Sequence, residues 1–275
     1  MAIVLALVLI VLGSVIFHVL SPWWWTPIAS NWGYIDKTIT ITFWITGFVF
    51  AAVILFMAYC VFKFRHKEGS RAHYEPENRK LEGWLTVVTG IGVAALLAPG
   101  LVVWHRYISV PDGASEIEVF AQQWTWSYRL PGEDKRLGRS QSRLVGPDNP
   151  LGLDPADRAS HDDIIIESDT LHLPVDKPVK VLLRSIDVLH NFYVPEFRAK
   201  MDMVPGMVTY FWLTPTRLGE FEVLCAELCG LSHAFMRGSI QIDTQEDYVA
   251  WLQQQSTFAE LSVPALARAA GQDQP

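Results

Sequence analysis

Long stretches free of charge dominate the first hundred residues, and a different period takes over after them. Residues 1–20 carry no charge and run through Ala, Ile, Val and Leu towards Pro22; residues 38–62 repeat the pattern from Thr38 to Phe62, and residues 84–104 from Trp84 to Trp104. At about 1.5 Å per helical residue each stretch can cross a hydrocarbon layer of about 30 Å, so the pattern predicts three transmembrane helices. From His105 onward the apolar residues come in short runs, as in Glu116–Phe120, Ile164–Ile166, Val179–Leu183 and Val208–Leu213. Turn residues such as Pro131-Gly132, Pro174, Pro205-Gly206 and Leu218-Gly219 separate them, which predicts an antiparallel β-sandwich or barrel. Only Glu246–Gln255 has a helical look, and residues 131–163 read as one long loop. The expected organisation is a first helix with an external connection (1–37), a helical hairpin with a basic loop (38–104), a β domain (105–255) and a tail (256–275).

Charge gives this layout a direction. Lys63, Arg65, Lys67, Arg71, Arg79 and Lys80 lie between the second and third stretches, against only Asp36 and Lys37 in the 21–37 connection. The basic loop therefore belongs in the cytoplasm and the β domain on the outer side of the membrane. Trp23, Trp24, Trp25, Trp84 and Trp104 stand at span ends, where an amphipathic ring suits the lipid headgroup layer. The first stretch lacks the basic start of a signal peptide and is longer than its usual apolar segment of about 7–15 residues, so it is read as a retained helix. Residues 105–275 carry 15 Lys and Arg against 24 Asp and Glu, a balance that disfavours nucleic acid and would steer a basic protein.

The chemistry is concentrated in one run, Cys225-Ala-Glu227-Leu-Cys229-Gly-Leu-Ser-His233-Ala-Phe-Met236, with His190 lying 35 residues ahead of Cys225 beside an apolar strand pattern. Thiolate, imidazole and thioether are soft ligands that favour copper, zinc or iron–sulfur over magnesium or calcium. A Cys225–Cys229 disulfide would close a very small loop and leave the other donors without a role. Two Cys and two His suit tetrahedral zinc, but that site has no use for Met236. One Cys, two His and a weak Met make a mononuclear blue-copper site, and here there are two thiolates. With the Glu227 backbone carbonyl the donors number six, enough for two copper ions sharing both sulfurs. Such a site suits electron transfer better than bond chemistry. The remaining histidines, His18, His66, His73, His105, His161 and His172, are not at ligand spacing from a cysteine, and the chain has no Cys-x-x-Cys-His haem-attachment motif.

The segments His190-Asn-Phe-Tyr-Val-Pro-Glu-Phe, Lys200-Met-Asp202-Met-Val-Pro-Gly and Cys225–Met236, together with Gln123-Trp124-Thr-Trp126-Ser-Tyr128, closely resemble subunit II of the haem–copper respiratory oxidases, the cytochrome c oxidases. The resemblance covers roughly residues 38–255. It implies a membrane-anchored, cupredoxin-like β-barrel carrying the binuclear copper centre called CuA, with His190, Cys225, Cys229, His233, Met236 and the Glu227 carbonyl as copper ligands. It also implies a magnesium ion that the Glu227 side chain shares with subunit I, Asp202 near that interface, and Trp124 as the residue receiving electrons from cytochrome c. Trp126 and Tyr128 are read as barrel filling. Glu82 resembles a glutamate at the cytoplasmic mouth of a proton channel in subunit I, and can equally pair with Arg79 or Lys80. The expected function is electron input to a terminal oxidase, with oxygen chemistry and haem on subunit I, and with subunit III and membrane lipid as further partners. The expected location is a bacterial inner membrane, crossed several times, with the β domain in the periplasm. A copper-containing nitric oxide reductase shares this module, and a membrane-tethered copper-delivery protein is the alternative of another class.

Overall fold

A computed structural model describes residues 1–21, 26–71, 74, 76–166, 168 and 170–262. Trp23–Trp25, His73 and most of the tail fall outside them. The chain forms two compact units, one of Met1–Thr26 with Tyr34–Trp104, the other of Pro27–Gly33 with the chain from His105 onward. The helices are α1 (Ala2–Leu20), α2 (Gly33–Lys63) and α3 (Arg79–Ile108), all long and apolar enough to cross a membrane. They are apolar on every side and most of their large side chains are exposed, as expected where lipid is the solvent. α2 and α3 run beyond the apolar stretches that predict them. Thr38, Thr42 and Thr46 pass their hydroxyl hydrogens back to the carbonyls of Tyr34, Thr38 and Thr42, so these polar residues fit the helix without an unmet donor.

In the second unit the strands are β1 (Ser115–Gln122), β2 (Thr125–Leu130), β3 (Ile164–Ile166), β4 (Thr170–Pro174), β5 (Val179–Ser185), β6 (His190–Val194), β7 (Ala199–Met203), β8 (Thr209–Leu213), β9 (Gly219–Cys225), β10 (Arg237–Asp243) and β11 (Ser256–Thr257), with short helices α4 (Gln245–Leu252) and α5 (Phe258–Leu261). One sheet has the order β11-β3-β2-β1-β5-β8 and the other β4-β10-β9-β6-β7. They face each other as a sandwich, with Trp126 of one sheet set edge-on against Phe192 of the other at 5.4 Å between ring centres. The pairing is not wholly antiparallel. β1 runs parallel to β5, and β4 to β10, because long excursions separate the paired strands and allow either direction.

Strand parity decides what the core contains. On β5, Val179, Val181 and Leu183 are buried while Lys180, Leu182 and Arg184 between them are not. On β9 the buried set is Phe221, Val223 and Cys225, and on β6 it includes His190, Phe192 and Val194. Phe192 lies opposite Cys225 in the β6–β9 pairing, so parity aims both the cysteine and the histidine inward at one end of the sandwich.

Two regions that the sequence presents as connections are built into this unit. Ala29, Ser30 and Trp32 are buried; the Ser30 hydroxyl donates to the Phe197 carbonyl at 2.7 Å and the Trp32 indole N–H to the Trp212 carbonyl at 2.9 Å. The 131–163 loop is held by a buried guanidinium: Arg129 donates to Asp163 and to the Gly138 carbonyl, each at 2.8 Å, and pairs with Glu118, which also holds Arg184. Leu151 and Leu153 of the loop pack with Phe120 and Phe258 in a small core of their own.

Candidate metal centre

The run Cys225–Met236 is contiguous because it is the loop of the β9–β10 hairpin. β9 ends at Cys225 and β10 begins at Arg237, and the Cys225 N–H donates to the Met236 carbonyl across the loop's base at 3.3 Å. A short turn at His233–Phe235 folds the loop back on itself. The neighbouring strand β6 contributes His190, and the Ala226 N–H donates to the Asn191 carbonyl at 3.1 Å, fixing loop to strand.

The sulfurs of Cys225 and Cys229 stand 3.7 Å apart, with both cysteines free. That separation is far from a disulfide bond of about 2.05 Å, so the pairing weighed from sequence is absent. Cys225 Sγ is 3.8 Å from His190 Nδ1 and 3.2 Å from the Glu227 carbonyl oxygen. Cys229 Sγ is 3.6 Å from His233 Nδ1 and 3.8 Å from Met236 Sδ. All the donors read from the sequence thus converge on the sulfur pair. His190, Cys225 and Cys229 offer ligand atoms within 4.8 Å of one another and could hold a metal ion.

Asp187 prepares the histidine. Its Oδ1 lies 2.8 Å from His190 Nε2, and its two oxygens also accept the backbone N–H groups of Gln123 and Val188, each at 2.7 Å. Burial pushes the Asp187 carboxyl up, but the contacts with His190, Gln123 and Val188 outweigh it and hold the group below its usual range. An ionised Asp187 can only accept, so Nε2 carries the hydrogen and Nδ1 turns its lone pair towards the sulfurs. Burial likewise raises the Cys225 thiol, and contacts with His190, the Asn191 N–H, Glu227 and Cys229 more than reverse this, bringing it to about 6. The Cys229 thiol is pushed up to about 11, by burial and then by the neighbouring Cys225. For His190, burial favours the neutral ring, and Cys225 and Asp187 overcome it and raise the pKa. His190 is 0% exposed, and Cys225, Cys229 and Met236 are buried too, so water is largely kept from the donors.

The other sequence-derived candidates stand as follows. Trp124 occupies the turn between β1 and β2 and is 38% exposed. A Cβ built on Gly230 would meet its Cζ2 at 3.2 Å and its Nε1 at 3.4 Å, so the indole lies directly on the loop that carries the donors. Trp126 and Tyr128 are fully buried in the core and fill the barrel. Asp202 is exposed on strand β7 and accepts from the buried Asn191 side chain at 2.5 Å. The Glu227 side chain is half-buried. Glu82 lies exposed in the first turn of α3 in the helical unit, where Arg79 pairs with Glu77 at 3.5 Å. His172 stacks on Trp251 at 4.4 Å and meets Asp243 at 2.6 Å, which makes it part of the packing of α4. Sequence reasoning misses Asp187, Gln123 and Asn191. A carboxylate three residues ahead of a ligand histidine is a signal for Asp187, and Gln123 and Asn191 stand inside the segments that carry the family resemblance, with no local sign of their partners.

A protein-family profile described as the periplasmic domain of cytochrome c oxidase subunit II matches residues 116–243. The chain is 67% identical over 262 residues to the alternative cytochrome c oxidase subunit 2 of Bradyrhizobium diazoefficiens, an alignment covering 95% of each protein. It is 31% identical over 226 residues to cytochrome c oxidase subunit 2 of Cereibacter sphaeroides, covering 77% of this chain and 75% of that one. Among solved structures, the periplasmic domain of subunit II of cytochrome oxidase of Bradyrhizobium japonicum aligns with a TM-score of 0.38 at 26% identity, covering 53% of this chain and 95% of that one.

Proposed function

Because this chain belongs to the cytochrome c oxidase subunit II family, we propose that it takes electrons from cytochrome c at a binuclear copper centre and passes them to haem in subunit I, where oxygen is reduced. The observation that carries this reading is the pair of free, buried sulfurs 3.7 Å apart, faced by two imidazoles, a thioether and a carbonyl. The donor chemistry fits copper. The sulfurs are too far apart to bond each other, the ligand types are soft, and His190 already presents Nδ1. His190, Cys225, Cys229, His233, Met236 and the Glu227 carbonyl would hold the ions. Copper held by this donor set would supply one-electron redox chemistry.

The chain's own residues supply the rest. Strands β6 and β9 hold His190 and Cys225, and the β9–β10 loop carries the other donors between two paired strands. Asp187 keeps His190 in one tautomer and orientation. Trp124 offers a donor protein an aromatic surface that continues into the metal loop. The Glu227 carboxylate, a hard ligand, would meet magnesium at the boundary with subunit I. The chain is membrane-anchored and works with other oxidase subunits. The proposal puts the basic 63–80 loop in the cytoplasm, the β domain in the periplasm, Glu82 at the mouth of a proton channel in subunit I, and subunit III in the same complex.

Copper loading of the purified full-length chain in detergent tests this reading. Two coppers per chain with a purple, mixed-valence spectrum are expected. One metal per chain, or a preference for zinc over copper, would refute the binuclear centre.

A further inference from the structure

Trp124 sits at the tip of a two-residue turn, Gln123-Trp124, between β1 and β2 of one sheet, whereas every metal donor comes from the other sheet or its loop. A partly exposed turn tip has little of its own to hold it against a loop from another sheet. Here the turn is tied down by hydrogen bonds on both sides of Gln123. Its backbone N–H donates to Asp187 Oδ2 at 2.7 Å, and its side-chain Nε2 donates to the Cys229 carbonyl at 2.6 Å. Asp187 through its other oxygen holds His190. Beside these bonds the Trp124 ring rests on Gly230, where an added Cβ would come within 2.9 Å of Gln123 Nε2 and 3.2 Å of Trp124 Cζ2.

We infer that Gln123 is a positioning residue that clamps the Trp124 indole onto the Cys229-Gly230 segment of the metal loop, so that electron uptake and metal ligation share one framework. The inference rests on the reading of Trp124 as the uptake residue. It explains why a carboxamide stands at 123. A glutamate can only accept and would face the Cys229 carbonyl acceptor to acceptor; an asparagine is a methylene short; a leucine has no donor. In the step that the clamp serves, one electron leaves the reduced donor protein and one arrives at the oxidised centre. No covalent bond breaks and no proton is transferred. Gly230, with φ of 129°, gives the ring its close approach, since any side chain there would occupy the space of the clamp.

The test uses the full-length chain, metal-free and copper-loaded, with Gln123→Leu and Gln123→Glu. Hydroxyl-radical labelling read by mass spectrometry measures how often the Trp124 ring leaves the loop. Loss of one neutral hydrogen bond shifts the opening of the turn roughly two- to tenfold, and because Trp124 is already 38% exposed its labelling should rise measurably, with or without copper, towards a ceiling of about 2.6-fold. In the loaded chain, reduction of the centre by cytochrome c should slow, while reduction by dithionite and the visible spectrum stay as in the parent. Unaltered Trp124 labelling in both variants would overturn the clamp. An altered copper spectrum would overturn it differently, by making Gln123 a support of the ligands instead of the indole. A Trp124→Phe chain separates the two layers: an unchanged rate with cytochrome c there sinks the uptake reading, while the labelling result stands or falls independently of it.

Discussion

Replacing Asp187 by alanine should weaken copper binding without touching a single ligand. Asp187 Oδ1 takes the hydrogen of His190 Nε2 at 2.8 Å in a place where the histidine is 0% exposed, so no water can substitute freely for the lost carboxylate. A buried donor left without a partner costs about 1–3 kcal/mol, which is roughly a 5- to 150-fold change in an equilibrium constant. Loss of the hydrogen-bond partner of a ligating histidine elsewhere typically costs about 10–100-fold in metal affinity, and the two ranges overlap. The Gln123 and Val188 N–H groups also lose their acceptor, but both border the exposed Asp187 edge, where water can reach them, and they add little. Asp187→Asn should fall between parent and alanine, because its carbonyl can still accept from His190 while its NH2 group then opposes a backbone N–H. The measurement is competition for copper between the full-length chain and a chelator of known affinity. An alanine variant within about twofold of the parent, where about tenfold or more is expected, would refute the reasoning. So would an asparagine variant weaker than alanine, since that order cannot arise from a retained acceptor.

Two further outcomes follow from buried charge. Arg129→Met should destabilise the β domain by about 3–5 kcal/mol, because Asp163 and Glu118 stay buried and Asp163 loses its cation. Asp163 has its carboxyl pushed up to about 7, first by burial and against the pull of Arg129, so from the ordinary carboxylate range to pH 7 the folded chain keeps a proton that the unfolded chain has released. This contribution makes stability fall as pH rises through that window, and more steeply in the variant; thermal melts at pH 5 and pH 8 in detergent check it, and a variant as stable as the parent at pH 8 would contradict it. In the metal-free chain the two site thiols should titrate in separate steps, one below and one above the ordinary thiol range, read from thiolate ultraviolet absorbance. The macroscopic steps belong to the pair, and a single step for both would remove the interaction between them.

The parts of this molecule legible in its sequence are those in which neighbours in the chain are neighbours in space. The Cys225–Met236 run declares a metal centre because the fold makes it one hairpin loop, and the three apolar stretches declare helices because each satisfies its own backbone. Strand parity reaches a little further, since alternation at 221, 223 and 225 already aims Cys225 inward. The parallel β1–β5 and β4–β10 pairings are hidden, because periodicity gives a strand but not its neighbour. Residues 27–33 look like a connection, yet Trp32 is buried between Tyr107 and Trp212, each with its ring centre 5.0 Å away; only the tertiary structure supplies those partners. The 131–163 stretch reads as a loop and is one, but its order depends on Arg129, a charge that sequence patterning would place on the surface.

The roles of Asp187, Gln123 and Asn191 are hidden for a related reason, which bears on how the site works. Each acts across a gap that sequence spacing does not measure: Gln123 reaches from the β1–β2 turn to the β9–β10 loop, Asp187 from the β5–β6 connection to that same turn, and Asn191 from β6 to Asp202 on β7. The ligands alone would make a metal loop hanging from two strands of one sheet. The Gln123 bond to the Cys229 carbonyl ties the turn that carries Trp124 onto that loop, at the end where Trp124 meets the solvent. Electron transfer benefits when its surroundings do not move with charge, and a hairpin loop has no such rigidity of its own. The side chains that do not touch the metal therefore decide whether a competent donor set also becomes a competent relay.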